Sequence, residues 1–262
     1  MKMHSTALVT GASAGIGEQI AMVFAEHGHD LVLVARREPE LEALAERLRA
    51  RFNVNVTVHA ADLAVDGAAD ALFEAMADTP IDILVNNAGV LSGGSFRKMS
   101  PSAIDNMVRV NIGALTALTH RFIGPMIERN RGRILNVASI AAFQPVPSLA
   151  VYAATKAFVL SFSEALSVEV GYRGISVTAV CPGFTETNML RQGSATSGAE
   201  TKVPDAIVLD PQRVARDAYD ACMAGDAIKV PGLGYAAFTS GTRFIPRWVL
   251  RTLSSYAMKM GK

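Results

Sequence analysis

Short, uninterrupted apolar runs alternate along this chain with longer segments whose apolar residues recur every three or four positions. The first run, TALVTG at residues 6–11, reads as a buried strand ending in glycine. After it, Ile16, Ile20, Val23 and Phe24 fall on one face of a helix over residues 15–27. LVLVA at 31–35 gives a second strand, followed by a charged helix with Leu41, Leu44 and Leu48 along one side. Four further strands are expected in VNVTVHA (54–60), IDILVNNAG (81–89), GRILNVAS (132–139) and GISVTAVCPG (174–183). IKVPG at 228–232 adds a short seventh. Strands that are apolar throughout and alternate with helices predict a parallel sheet covered on both faces. The expected fold is therefore α/β, a Rossmann-type doubly wound sheet of seven strands. No linker or repeat breaks the pattern before residue 185, so residues 1–262 are expected to form one domain. Ligands of such sheets bind beyond the carboxyl ends of the strands, which directs attention to the residues just after each apolar run.

Composition narrows the picture. The chain is 262 residues long, 50% hydrophobic and 19% charged, with a formal net charge of +1. That suffices for a full core and gives no footing for nucleic acid as a partner. No apolar run reaches transmembrane length, and MKMHST carries no signal-peptide pattern. Cys181 and Cys222 match no metal or redox spacing, and the five histidines form no ligand-like set. No metal is expected, and a reducing, cytoplasmic location is the simple expectation.

Two stretches near the start look made for a nucleotide. TGASAGIG puts Gly11, Gly15 and Gly17 between the first strand and the following helix. Glycines there permit a tight turn and close backbone approach to a pyrophosphate at a helix N-terminus, or simply a turn that starts a helix. The second strand ends in VARRE, with Ala35 where NAD sites place an acid, followed by Arg36 and Arg37. Guanidinium groups grip a ribose 2′-phosphate, so this end favours NADP over NAD, with a solvated arginine pair as the plain alternative. Ala14 points the other way, since a basic residue often stands there in NADP sites. Asp62 follows the third strand, placed to accept from an adenine amino group, with Leu63 beside the ring. NNAG, with Asn87, Ala88 and Gly89, follows the fourth and suits either a close ribose or an ordinary turn.

Tyr152 and Lys156 stand four residues apart in VYAATKA, one helical turn on one face. An ammonium near a phenol favours the phenolate, so the pair is expected to bring the Tyr152 pKa down towards neutrality. Ser139 closes the fifth strand thirteen positions earlier, and Asn111 lies in an apolar helical run where asparagine is unfavourable without hydrogen-bonding work. Each is bland alone; together with TGASAGIG, NNAG and CPG they form a recognisable set.

With those motifs the chain resembles the short-chain dehydrogenase/reductase family over residues 5–190. The resemblance implies hydride transfer between a nicotinamide and a carbonyl or secondary alcohol. It implies Tyr152 as general acid/base, Lys156 supporting it and bonding the nicotinamide ribose, Ser139 on the substrate oxygen, and Asn111 holding a relay water. It further places Gly11, Ser13, Gly15, Ile16, Gly17, Arg36, Arg37, Asp62, Leu63, Asn87, Ala88 and Gly89 against the nucleotide, with Tyr152 and Lys156. Pro182, Gly183, Thr185 and Thr187 would cover the nicotinamide. A homodimer or homotetramer is implied, formed through helices flanking the site. Phe143, Val146, Pro147, Leu149 and Met189 suggest a lipophilic substrate, or ordinary packing. Residues 184–210 would then form a substrate lid. A nucleotide-binding regulator on the same fold, or a membrane-associated lipid reductase, are the competing functions.

The C-terminus is unusual in charge. After Asp226 there are six basic residues and no acid. From Phe244 on, apolar residues repeat at helical spacing with Arg247 and Arg251 offset, so residues 235–262 form a basic amphipathic extension. Such a segment lies on a membrane surface or packs over a pocket or partner subunit, and packing is the expectation adopted.

Overall fold

The computed structural model describes residues 5–186, 207–242 and 245–260, with the backbone alone for residue 253 and residues 255–260. Its centre is a seven-stranded, wholly parallel sheet in the order β3-β2-β1-β4-β5-β6-β7. The strands are β1 (Thr6–Thr10), β2 (Asp30–Ala35), β3 (Val56–Ala60), β4 (Ile83–Asn86), β5 (Gly132–Val137), β6 (Ile175–Val180) and β7 (Ile228–Lys229). The order reverses between β1, which pairs with β2 on one side, and β4 on the other. That reversal opens a crevice at the carboxyl ends, where Gly11 and Asn87 stand.

Alternation along each strand feeds two cores. Ala7 and Val9 of β1, with Leu31 and Leu33 of β2, face α1 (Gly15–Glu26) and α2 (Glu38–Phe52). Leu8, Val32 and Val34 face the opposite way, onto α3 (Ala68–Ala75) and α5 (Leu115–Glu128). Leu41, Leu44 and Leu48 of α2 are buried as their spacing predicts, each stabilising by about 1.5–3 kcal/mol. α2 begins with Pro39 in its first turn between Glu38 and Glu40, and ends with Arg49 and Arg51 before Asn53, which is left-handed at φ 54°. Those charges complement the helix dipole at both ends.

The remaining helices follow in chain order. α4 (Pro101–Val108) is capped by Ser100, whose hydroxyl accepts from the Ala103 amide. It runs into a π-helical turn, Arg109–Ala114, before α5. A 3₁₀ turn, Ile140–Phe143, follows β5 and leads to α6 (Ala150–Gly171). α7 (Pro211–Ala224) starts at an Asp210 cap and packs on the first core through Ala215, Ala218 and Cys222.

The expected C-terminal extension forms two helices, α8 (Leu233–Thr242) and α9 (Arg247–Met260). α8 packs on the 3₁₀ turn after Ser139. α9 buries Leu250 and donates from Ser254 Oγ to the Pro145 carbonyl at 3.0 Å. One face thus packs against the loop beyond Ser139, while Arg247, Trp248 and Arg251 stay exposed. Among the described residues no helix is long and apolar enough to cross a membrane. Of the expected lid, residues 187–206 lie outside the described residues, and with them Thr187 and Met189.

Candidate active site

The glycine turn is as tight as its sequence suggests. Gly11 is left-handed at φ +67°, and a Cβ there would lie 2.8 Å from Asn87 Nδ2 and 2.9 Å from Ala88 Cα. At Gly17 a Cβ would collide with the Asn87 amide and the Gly11 carbonyl. Only glycine lets the α1 N-terminus sit this close to the NNAG turn. The turn is pinned by Thr10, whose hydroxyl accepts from the backbone amides of Asn87 and Ala88, both at 3.0 Å, and donates to the Val85 carbonyl. Asn87 Nδ2 returns bonds to the carbonyls of Thr10 and Gly11. Gly15 and Ile16 open α1, so the first amides of that helix face the crevice.

At the end of β2, Arg37 reaches back to the same turn, donating to Ser13 Oγ at 3.0 Å and the Ser13 carbonyl at 3.3 Å. Its other nitrogen pairs with Glu40. Arg36 is exposed and pairs with no carboxylate among the described residues. Asp62 is exposed and accepts from the Ala64 amide at 3.0 Å, and Leu63 packs on the second core.

At the other end of the crevice, four side chains converge from three elements. Ser139, just past β5, accepts from the Ala141 amide at 3.1 Å and lies near enough to the Tyr152 hydroxyl to favour its phenolate. Tyr152 lies in the first turn of α6. Lys156 Nζ sits 5.8 Å from the centre of the Tyr152 ring and donates to the Val137 carbonyl at 2.7 Å. Asn111 lies within the π turn: its Oδ1 accepts from the Val90 amide at 2.8 Å, and its Nδ2 donates to the Val90 carbonyl and to Thr155 Oγ1. A π turn is a frequent marker of functional sites, and here it carries the polar residue that the apolar run made conspicuous. A Cβ on Gly89 would lie 3.4 Å from Asn111 Oδ1 and 3.5 Å from Lys156 Nζ, so the NNAG turn abuts this group.

The electrostatics correct one expectation. The Tyr152 pKa is raised, not lowered, because burial disfavours the phenolate more than the Ser139 side chain favours it. Lys156, 5% exposed, is perturbed in the opposite direction: burial brings its pKa down to about 8, against a smaller upward push from Cys181. Spacing along a helix conveys proximity, whereas desolvation comes from everything packed around the pair.

Pro182 and Gly183 follow β6, and the Pro182 carbonyl accepts from the Ile140 amide at 3.0 Å, linking them to the Ser139 turn. Thr185 is buried and donates to the Gly183 carbonyl. Two participants carried no signal of their own in the sequence. Thr155 sits inside YAATK, bridging Asn111 to the Tyr152 carbonyl, and Tyr235 of α8 lies against Gly183. No group of three potential metal ligands occurs among the described residues.

Comparison with known proteins identifies relatives of the chain. The family model described as short chain dehydrogenase matches residues 5–198. The rat (Rattus norvegicus) very-long-chain 3-oxoacyl-CoA reductase is 33% identical over 213 residues, covering 79% of this chain and 68% of that protein. A short-chain dehydrogenase from Sphingobium yanoikuyae in complex with NADPH superposes with a TM-score of 0.82 at 33% identity, covering 98% of this chain and 96% of the other. An actinorhodin polyketide ketoreductase variant with NADPH gives 0.80 at 30% identity, over 89% and 98% of the two chains. The chain belongs to the short-chain dehydrogenase family.

Proposed function

We propose that this protein is an NADP(H)-dependent reductase acting between the nicotinamide and a lipophilic ketone or secondary alcohol, with Tyr152 as general acid and base. The observation that carries the reading is the meeting of Ser139, Tyr152 and Lys156 at one end of a crevice whose other end is the Gly11–Gly17 turn.

The crevice fits the cofactor. A Cβ at Gly11 or Gly17 would fill the turn, and the α1 N-terminus offers free amides to a pyrophosphate. Asp62 and Leu63 would hold the adenine, and Asn87, Ala88 and Gly89 the adjoining ribose. Arg36, which pairs with no carboxylate among the described residues, would take the 2′-phosphate, while Arg37 braces Ser13 beside it. Lys156 would bond the nicotinamide ribose, with Pro182, Gly183 and Thr185 along the ring. Bound there, the cofactor supplies or accepts the hydride.

The protein handles the proton. In reduction the Tyr152 hydroxyl donates to the substrate oxygen, and its raised pKa keeps it loaded at neutral pH. The phenolate left behind keeps the Ser139 side chain and the Lys156 ammonium nearby. Ser139 also orients the substrate oxygen. Asn111 fixes the Val90 backbone, in the loop after β4, beside Lys156 and Gly89, consistent with a relay to solvent through that corner.

Half-buried Phe143, Val146 and Leu149 beyond Ser139 favour a lipophilic substrate. The rat relative is named for reducing 3-oxoacyl chains and the actinorhodin protein as a polyketide ketoreductase, which supports a ketone on an acyl-like chain. We read the chain as one domain acting in the cytoplasm as a homodimer or homotetramer. Exposed Phe158 and Val168 on α6 support such an assembly, which light scattering would size.

Fluorescence titrations with NADPH and NADH test the nucleotide assignment. Wild type should bind NADPH more tightly, and Arg36→Ala should lose about ten- to hundred-fold in NADPH affinity, the worth of charge-assisted bonds. Equal binding of both nucleotides, unchanged by the substitution, would contradict it.

A further inference from the structure

Tyr235 stands 50 residues or more from every motif of the family, yet three contacts bring it to the nicotinamide side of the crevice. Its ring lies against Gly183 so closely that a Cβ at that glycine would run into ring carbons. Its hydroxyl donates to the Ile207 carbonyl at 2.7 Å and accepts from the Phe184 amide at 3.3 Å. Those two residues belong to different segments that meet beside it: Thr185 pairs with Leu209, Leu209 N–H donates to the Phe184 carbonyl at 2.7 Å, and Glu186 N–H to the Leu209 carbonyl at 3.1 Å.

We propose that Tyr235 is a positioning residue that fixes the nicotinamide wall of the site. Its ring packs against Gly183, and its hydroxyl ties residues 184 and 207 into one unit. The inference rests on the assignment of Pro182, Gly183 and Thr185 to the nicotinamide. Mechanically the link continues inward. Gly183 accepts from Thr185 Oγ1, and Pro182 accepts from the Ile140 amide, next to Ser139. A wall held by these bonds would keep a bound nicotinamide facing Ser139 and Tyr152, and misplacement by an ångström is enough to slow hydride transfer. The sequence LGYAAF gives no hint of this, because the tyrosine reaches the wall only through the packing of α8 over the 3₁₀ turn.

Tyr235→Phe keeps the ring and removes both hydrogen bonds; Tyr235→Ala removes the backing as well. Two readouts separate the halves of the cofactor. Adenosine 2′,5′-bisphosphate, which lacks the nicotinamide, should bind wild type and both variants equally. Bound NADPH should show a lower nicotinamide fluorescence anisotropy in Tyr235→Phe, and lower still in Tyr235→Ala. With a ketone substrate, kcat should fall about five- to ten-fold in Tyr235→Phe, the scale of one or two hydrogen bonds, with a smaller change in KM. If Tyr235→Ala fails to fold, Tyr235→Phe alone carries the test. Wild-type anisotropy and kcat in Tyr235→Phe would overturn the proposal. Failure of wild type to bind adenosine 2′,5′-bisphosphate would instead overturn the nucleotide assignment, and the proposal with it.

Discussion

The Lys156 ammonium donates to the Val137 carbonyl across 2.7 Å, tying the helix that carries Tyr152 to the strand that ends two residues before Ser139. One bond therefore sets the spacing between Tyr152 and Ser139. The same burial that makes the bond firm strips the ammonium of water and lowers its pKa to about 8.

Carbonyl reduction should consequently lose rate as pH rises through about 8, where Lys156 gives up its proton. The ammonium is present below that value and absent above it, so the loss lies on the alkaline side. Alcohol oxidation, which needs Tyr152 as a base, should gain over the same interval. Rates from pH 6 to 10 in both directions, with the range chosen to bracket the shifted group, would check this. In Lys156→Arg the break should move out of that range, because a guanidinium stays charged.

Lys156 should also cost stability. Its folded pKa lies below the unfolded value of 10.5, so the unfolded chain binds the extra proton more readily between pH 8 and 10.5. The penalty is full below pH 8 and fades as pH rises to 10.5. Lys156→Met, which also gives up the bond to Val137, should be more stable than wild type at pH 7 by about 1–3 kcal/mol, and nearly inactive. Denaturant melts at pH 7 and pH 10 would show the difference shrinking at the higher pH.

Thr155 joins two candidate catalytic residues, accepting from Asn111 Nδ2 at 3.1 Å and donating to the Tyr152 carbonyl at 2.7 Å. Thr155→Val keeps the shape and removes both bonds. It should cost about 1–3 kcal/mol, since a buried Asn111 donor is left short of a partner, and lower kcat several-fold. Thr155→Ser should restore both, which thermal melts and steady-state rates would show together.

What the sequence disclosed depended on how local the cause was. β1, β2 and α2 were legible because uninterrupted apolar runs and leucine spacing report burial directly. Asn111 stood out because an amide in an apolar helical run needs partners, and Val90 and Thr155 supply them. The π turn around it did not, since nothing in VRVNIGAL distinguishes a five-residue from a four-residue hydrogen-bond step. The direction of the Tyr152 shift was misread: four-residue spacing predicts a neighbouring charge but says nothing of the desolvation imposed by distant packing. Tyr235 was out of reach for the same reason, its partner Phe184 lying 51 residues away.

The central claim is that Tyr152 delivers the proton that accompanies hydride transfer. A single-turnover experiment tests it: protein loaded with NADPH is mixed with a lipophilic ketone and the loss of NADPH absorbance is followed. Tyr152→Phe should bind NADPH as wild type does, yet oxidise it about 10²–10⁴-fold more slowly, the range general acid catalysis contributes. Turnover by Tyr152→Phe at the wild-type rate would contradict the account, and the proton would have to come from elsewhere.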